Sequence, residues 1–275
     1  MTHVDLQTIL TTWKGDAGSI LLYMVLLALA AAYGLAARRR SPRGRRWPPA
    51  RTACFVAGLA LLALIYGSGL QVYEDQPAVH VIQHMLTMMA VPPLLVLGAP
   101  ITLLLRTLAP RRRPALVRLL DDPSFAMMSG PRAPLMLTLD YYLTMYVYQL
   151  TPLHTWSEQS TELHFIVHQY FLLCGLFFWW PVVAADPVRL RLSANAKRVM
   201  VWIGLPAFGL LGGIELATGS TATGLSYLVC GAVLTVVGAG VVAIRARGSR
   251  APAPTVAPRA RPLSGGSVSG VGGPG

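Results

Sequence analysis

Two pairs of histidines are the residues of this chain best suited to carry chemistry. His80 and His84 lie four residues apart, and so do His164 and His168. On a helix this spacing places both imidazoles of a pair on one side, about 6 Å apart along the axis. Each pair stands at the start of a long apolar run. Ionisable side chains at membrane depth are costly, and they mark a candidate functional site.

Metal ligation is the chemistry that best fits these imidazoles, because imidazole nitrogen binds copper, zinc, iron and nickel. Met88 lies one turn beyond His84 and is either a packing residue or a thioether ligand, which would favour Cu(I) over zinc. His154 is either a fifth imidazole ligand or a side chain that faces water. Glu158 and Glu162 either orient the imidazoles as hydrogen-bond acceptors or are solvated loop charges. These residues therefore predict a metal site and leave open which of these metals it binds.

The composition predicts that these histidines belong to a membrane protein. Of the 275 residues, 54% are hydrophobic and 12% are charged, and the mean hydropathy is +0.53. A soluble domain carries about 25% charged residues. Apolar runs near 20 residues indicate an all-α, polytopic membrane protein. We predict seven transmembrane helices, at residues 17–37, 52–71, 78–105, 134–151, 162–184, 199–218 and 224–244.

The basic residues predict how these helices are oriented. Of the 23 Lys and Arg residues, every one except Lys14 lies after the first, third, fifth or seventh span. Since cytoplasmic loops are enriched in basic residues, the N-terminus is predicted outside and the C-terminus in the cytoplasm. The basic residues behind the net charge of +12 are therefore predicted to lie beside the lipid bilayer and not to bind nucleic acid. The predicted domains are an extracytoplasmic segment, a membrane domain and a disordered cytoplasmic tail, at residues 1–16, 17–247 and 248–275.

With this orientation, the two helices that carry the histidine pairs both start at the outer face of the membrane. Asp75, Gln76 and Pro77 predict a helix start with a side-chain cap and a proline in the first turn. The segment 160–162, Ser-Thr-Glu, opens span five in the same way. Spans three and five both run from outside to inside. If they are neighbours, their four imidazoles meet at two levels of one pocket.

Two acids inside the predicted spans are further candidates. Asp140 lies 14 residues before His154, so the two would share a helix face, and Asp140 would line the same pocket at greater depth with a tyrosine as its partner. Glu215, near the outer end of span six, is a candidate extra ligand. Pro92 and Pro93 predict a kink in span three that could shape the pocket.

Other distinctive residues have structural interpretations. Phe177–Trp180, at the inner end of span five, predict an interfacial aromatic belt. Gly98–Pro100 would permit a further bend or close packing in span three. Cys54, Cys174 and Cys230 lie in or near apolar segments and lack Cys-x-x-Cys spacing, which predicts small buried side chains and neither disulfides nor thiolate ligands.

Two segments of the chain resemble the signatures of a known family. The segment 80–85, His-Val-Ile-Gln-His-Met, runs into a Pro-Pro and a Gly-Ala-Pro motif and resembles the CtaG-like family of cytochrome c oxidase assembly membrane proteins. The segment 164–168, His-Phe-Ile-Val-His, runs into Trp-Trp-Pro at 179–181 and is similar to the second signature of that family. The resemblance covers roughly residues 55–245.

The resemblance implies a bacterial plasma-membrane protein needed to mature haem–copper terminal oxidases, through the supply of copper to the oxidase catalytic subunit. In one respect the chain departs from the family pattern, which has a histidine just before the proline that ends span four. Here Tyr148 and Gln149 precede Pro152, and His154 follows it. His154 would then substitute for that histidine.

The leading hypothesis is a copper-handling assembly factor and not an enzyme, with the oxidase catalytic subunit and a copper chaperone as partners. A membrane zinc hydrolase is the alternative, although the sequence has no His-Glu-x-x-His motif. A di-iron lipid oxidase would require more histidines, usually on the cytoplasmic side. A b-type cytochrome would use His84 and His168 as axial haem ligands.

Overall fold

The chain is built from helices. The computed structural model describes residues 4–39, 44, 46–120, 130–187 and 192–248. Across these ranges there is no β-strand, and a single antiparallel bridge joins Trp13 to Ser68. The all-α prediction is therefore confirmed for this part of the chain. The predicted tail lies outside the described residues, apart from its first position.

The helices follow one another with short connections. In chain order the α-helices of the described residues are α1 (Leu6–Thr11), α2 (Ala17–Arg38), α3 (Pro49–Gly67), α4 (Pro77–Met85), α5 (Val91–Leu97), α6 (Pro100–Thr107), α7 (Arg113–Leu120), α8 (Ala133–Leu150), α9 (Leu153–Gln159), α10 (Thr161–Val183), α11 (Ala194–Trp202), α12 (Gly204–Ala217) and α13 (Thr221–Gly248). A π-helical turn, Leu86–Ala90, separates α4 from α5, and 3-10 turns occupy Gly69–Tyr73 and Pro110–Arg112.

Six helical segments of the described residues are long and apolar enough to cross a membrane. They are α2, α3, the α4–α6 segment, α10, the α11–α12 segment and α13. Six of the seven predicted spans therefore have a membrane-length apolar helix. The remaining prediction, 134–151, coincides with α8, whose 18 residues include Asp140, Gln149 and four tyrosines that lower its hydropathy.

The two helices that carry the histidine pairs lie at the centre of the bundle. In the most apolar stretches of α10 and of the α4–α6 segment, 56% and 50% of the residues are buried, compared with 11% in α2. α10 packs against α5, the π-helical turn, α8 and α9, while α4 packs against α13. Spans three and five are therefore neighbours, which is the condition for a shared pocket.

Span three is interrupted at the positions that its prolines and glycine predict. The π-helical turn precedes Pro92 and Pro93, which open α5. After α5 the backbone bends at Ala99, which adopts a left-handed conformation with φ of 51° before α6 starts at Pro100. These breaks separate the histidine-bearing α4 from the C-terminal end of the span.

The start of α6 is capped by a distant acid. The Asp186 carboxylate accepts hydrogen bonds from the backbone nitrogens of Ile101 and Thr102 at 3.3 and 2.6 Å. Burial raises the pKa of this carboxyl above its usual value, although these hydrogen bonds oppose the shift. An acceptor at this position satisfies backbone donors that a helix start leaves free.

The aromatic residues near the end of α10 lie in the core. Phe178 and Trp179 are each 1% exposed. Phe178 stacks on Tyr141 with ring centroids 3.9 Å apart, and the Trp179 indole donates a hydrogen bond to the Tyr141 hydroxyl at 3.2 Å. The prediction of an interfacial belt was therefore wrong for these two rings, because they pack against α8.

The three cysteines are free, as predicted. Cys174 is buried, whereas Cys54 and Cys230 are half-buried. The Cys174 thiol donates a hydrogen bond to the Asp140 carboxylate at 3.3 Å and lies 3.6 Å from the Thr144 hydroxyl. This cysteine therefore has partly polar surroundings and is more than a small apolar filler.

Candidate metal centre

The two histidine helices begin as the sequence predicts in most respects. Pro77 occupies the first turn of α4, but Gln76 stands at the N-cap position, so the predicted carboxylate cap from Asp75 was wrong. The Ser160 hydroxyl accepts a hydrogen bond from the backbone nitrogen of Leu163 at 3.2 Å, which confirms the predicted cap of α10. In both helices the first histidine of the pair therefore lies in the first turn.

The four paired histidines converge between α4 and α10. The Nε2 atoms of His80 and His84 lie 2.5 Å apart, and those of His164 and His168 lie 2.8 Å apart. Across the helices, the ring centroids are 5.3 Å apart for His80 and His164 and 4.4 Å for His84 and His168. The imidazoles therefore face each other at two levels, as predicted.

The spacing of these nitrogens is compatible with metal ligation. Two nitrogens bound to one tetrahedral ion at about 2.0–2.1 Å would lie roughly 3.3 Å apart. The observed pairs are at hydrogen-bonding distance, so a small rotation of each ring would make room for an ion. Within the described residues, the buried His84 Nδ1 has no hydrogen-bond partner.

Tyr148 of α8 connects the first pair to a third element. Its hydroxyl lies 3.1 Å from His80 Nε2 and 3.2 Å from His84 Nε2. The same hydroxyl lies 3.2 Å from Ser157 Oγ, which in turn donates a hydrogen bond to the backbone oxygen of His154 at 2.8 Å. The helices α4, α8 and α9 are therefore held together around one phenol oxygen.

The second pair has its own partners. The Tyr66 hydroxyl lies 3.3 Å from His168 Nδ1, and Glu74 Oε1 lies 3.1 Å from His164 Nε2. Burial alone would raise the pKa of the Glu74 carboxyl, but the hydrogen bond with His164 and the charges of His164 and Lys14 outweigh it and hold that pKa below its usual value. Glu74 is therefore a charged acceptor beside an imidazole.

His154 lies beside the first pair. Its ring centroid is 5.7 Å from that of His80, and its Nε2 atom lies 3.5 Å from Glu158 Oε1. Glu162, by contrast, accepts a hydrogen bond from the Ser160 hydroxyl at 3.0 Å. Of the two glutamates considered from the sequence, Glu158 is thus the one next to an imidazole.

A cleft of about 680 Å³ gives access to these groups. It is lined by residues of the segment before α4, of α3, α4 and α9, and of the start of α10, among them Glu74, His80, Glu158, His164 and His168. Exposure falls with depth: His164 is half-buried, His168 is 2% exposed and His84 is 0% exposed. An ion could thus enter from the helix ends towards the deeper imidazoles.

The candidate ligands form two groups in the described residues. Glu74, His164 and His168 offer ligand atoms that all lie within 4.8 Å of one another, and so do His80, His154 and Glu158. Each group contains two imidazoles and one carboxylate.

Two other candidates lie away from these groups. Met88 is fully buried in the main hydrophobic core, and the π-helical turn that contains it breaks the regular four-residue register below His84. Glu215 is 6% exposed and lies on α12, which packs mainly against α13. Met88 and Glu215 remain predictions as ligands.

Asp140 has the predicted tyrosine partner but a different position from the one expected. Its carboxylate accepts a hydrogen bond from the Tyr170 hydroxyl at 2.9 Å. The shared helix face with His154 was wrong, because α8 ends at Leu150 and His154 lies on the separate helix α9. Asp140 is exposed and lines another cavity, of about 480 Å³, between α8 and α10.

The sequence pattern did not identify the tyrosines of the site. Tyr66 and Tyr148 are brought to the imidazoles by α3 and α8, at 102 and 64 residues from their partners His168 and His84. Glu74 was also not predicted as a ligand. Its position just before α4, which carries His80 and His84, was the sequence signal that could have identified it.

The chain, whose described residues include six helices of membrane length, matches a family of oxidase assembly proteins. Residues 31–244 match the family described as cytochrome c oxidase caa3 assembly factor, and the chain belongs to this family. The match confirms the resemblance to the CtaG-like proteins drawn from the two histidine signatures.

Curated relatives are found in mycobacteria. The chain is 32% identical over 233 residues to the uncharacterized protein Mb0105 of Mycobacterium bovis, covering 80% of this chain and 33% of the relative. It is 29% identical over 231 residues to the uncharacterized protein ML1998 of Mycobacterium leprae, covering 79% of this chain and 33% of the relative. The chain thus spans about a third of the length of these relatives. No solved structure shows a significant match to the chain.

Proposed function

We propose that this protein is an assembly factor for haem–copper cytochrome c oxidase that binds copper in its outward-facing histidine cleft and supplies it to the oxidase. The observation that carries the proposal is the convergence of four imidazoles from α4 and α10, of which those of His80, His164 and His168 line one accessible cleft. Membership of an oxidase assembly family supports oxidase assembly as the process in which the copper would be used. Imidazole is a suitable ligand for copper in either oxidation state.

The proposed orientation places the cleft on the outer side of a bacterial plasma membrane. In this arrangement α8 is a seventh span, the N-terminus lies outside and the C-terminus lies in the cytoplasm. The support is the positive-inside rule, because seven spans bring the basic loops to one side and six would divide them. α8 also packs between α10 and α11, as a membrane helix of the bundle would.

The proposed role is transfer and not catalysis. A transfer site must hold an ion and release it, and ligands near helix ends beside an open cleft suit such an exchange. The partners would be the bilayer, the copper-receiving catalytic subunit of the oxidase and a copper chaperone that loads the cleft.

The test is the double variant His84→Ala/His168→Ala, which removes the deeper imidazole of each pair. We expect purified wild-type protein to bind copper, the variant to bind less of it, and oxidase activity in cells to fall while the variant still inserts. His3→Ala, at the remaining histidine of the sequence, is the control. Normal oxidase activity in cells with the double variant would contradict the role of the cleft.

A second candidate function is a membrane zinc hydrolase. It is favoured by one observation, that each ligand group combines two histidines with a glutamate, as catalytic zinc sites do. Zinc in the protein purified from its own host, together with hydrolysis of a lipid ester or amide, would support this candidate over copper delivery.

A further inference from the structure

We propose that the cleft holds two divalent metal ions in two separate sites, each formed by two imidazoles and one carboxylate. The inference rests on the proposed metal-binding function and specifies how many ions the cleft takes and which ligands hold each. We name the sites after their acids: the Glu74 site comprises Glu74, His164 and His168, and the Glu158 site comprises His80, His154 and Glu158.

The Glu74 site is built from two elements. His164 and His168 project from the first two turns of α10, and Glu74 reaches them from the segment just before α4. The three side chains offer ligand atoms within 4.8 Å of one another, with His164 Nε2 at 3.1 Å from Glu74 and 2.8 Å from His168. The Tyr66 hydroxyl near His168 Nδ1 would hold that ring with its Nε2 atom towards the ion.

The Glu158 site is built in a similar way from α4 and α9. His154 and Glu158 are one turn apart on α9, and His80 approaches them from the first turn of α4. Their ligand atoms also lie within 4.8 Å of one another. The hydrogen bond of Ser157 to the backbone oxygen of His154 supports the turn of α9 that carries both ligands.

The pattern of distances favours two sites over one. In the described residues, the ligand atoms that lie within 4.8 Å of each other fall into two groups of three, and no group contains all four paired histidines. The i, i+4 pair of α4 is also divided, because His80 belongs to the Glu158 site while His84 belongs to neither. His84 lies between the sites: its Nε2 atom is 2.5 Å from His80 Nε2, and its ring centroid is 4.4 Å from that of His168.

The ligand types indicate the class of ion. Imidazole together with carboxylate suits Zn²⁺, Cu²⁺ or Fe²⁺, whereas Cu(I) prefers thiolate and thioether ligands. A carboxylate in each site also balances part of the charge of a divalent ion in a half-buried cleft. Three protein ligands leave at least one coordination position open, through which an ion could be exchanged.

The experiment measures the number of ions bound per chain. Full-length protein in detergent is loaded separately with Zn²⁺, Cu²⁺ and, without oxygen, Cu(I), then desalted and analysed by mass spectrometry. We expect two divalent ions in the wild type and one in each of Glu74→Gln and Glu158→Gln. Glu162→Gln is the matched control, since that carboxylate contacts Ser160 and belongs to neither site, and it should retain both ions.

In the two glutamine variants the side-chain oxygen could still bind the ion, so a second set of variants removes imidazoles. His164→Ala and His154→Ala each remove an imidazole from one site, and each should bind one ion fewer than the wild type. One divalent ion in the wild type, or two in all four site variants, would overturn the two-site assignment. Uptake of Cu(I) alone would overturn it while leaving copper delivery intact, and a wild type that binds none of the three ions would overturn the proposed function itself.

Discussion

Tyr148 is the residue through which α8 takes part in the metal centre. Its side chain is 1% exposed, and its hydroxyl lies within 3.2 Å of both His80 Nε2 and His84 Nε2. A phenol can donate one hydrogen bond and accept others. It can therefore fix which imidazole nitrogen carries a proton and how each ring is oriented, although it is not among the proposed ligands.

Tyr148→Phe should weaken metal binding without unfolding the protein. The change removes one oxygen and keeps the ring, which packs edge-on against Phe171 with centroids 5.2 Å apart. Loss of a group that orients ligands typically reduces metal affinity by about 10–100-fold. Competition with a chelator would measure this reduction in detergent-purified protein.

Tyr146→Phe is the control for this change. Tyr146 lies on the same helix, but its hydroxyl donates a hydrogen bond to the backbone oxygen of Ala207, away from the histidines. Equal metal affinity in the two variants and the wild type would show that the Tyr148 hydroxyl does not position the imidazoles.

At this scale the sequence predicted which histidines come together better than it predicted their hydrogen-bond partners. The histidine pairs were evident because i, i+4 spacing is a local property of one helix. The contacts of Tyr148 and Tyr66 depend on which helices become neighbours and on how each is rotated, which no local pattern specifies. Glu158 was interpreted as either an orienting group or a solvated charge, and its place beside His154 within one turn follows from the same local spacing.

Gly175 determines how closely α10 approaches span three. A Cβ atom at this position would lie 2.4 Å from the backbone oxygen of Met88 and 2.6 Å from Pro92 Cγ. The first contact is with backbone, so a side-chain rotation could not relieve it. Small residues permit close crossings of this kind between membrane helices, and this crossing sets the spacing of the two histidine helices above it.

Gly175→Ala should therefore destabilise the bundle by about 1–3 kcal/mol, the usual cost of added volume in a packed core. Thermal unfolding in detergent should occur at a lower temperature, and less protein should accumulate in membranes. Gly213→Ala is the matched control, because a Cβ there meets no atom within 4 Å. If Gly175→Ala unfolds at the same temperature as Gly213→Ala, the crossing does not depend on the missing side chain.

The helices themselves were largely predictable, because apolar runs of membrane length are a direct property of composition. The structure gives bounds within about five residues of every predicted span. The prolines predicted the breaks in span three, but the π-helical turn at Leu86–Ala90 was not foreseen, since it arises where span three packs against α10. The burial of Phe178 and Trp179 was missed for the same reason: it depends on the position of α8.

For the molecule as a whole, the distribution of charge and the number of spans are linked. Among the residues that the structure describes, six segments qualify as membrane helices by length and apolar character, and α8 does not. The side on which each later loop lies depends on whether α8 crosses the membrane. The chain also spans only about a third of the length of its mycobacterial relatives.

Cysteine labelling in intact cells distinguishes the two topologies. In a background where Cys54, Cys174 and Cys230 are replaced by alanine, single cysteines are introduced by Gln159→Cys and Asn195→Cys, both at exposed positions. If α8 spans the membrane, an impermeant maleimide should label position 159 from outside and should reach position 195 only after the cells are opened. Arg111→Cys, which precedes α8, should stay protected in either case and serves as the control. Because removal of one crossing inverts every later loop, labelling at 195 with protection at 159 would contradict seven spans and would put the starts of α4 and α10 on opposite faces of the membrane, contrary to their shared cleft.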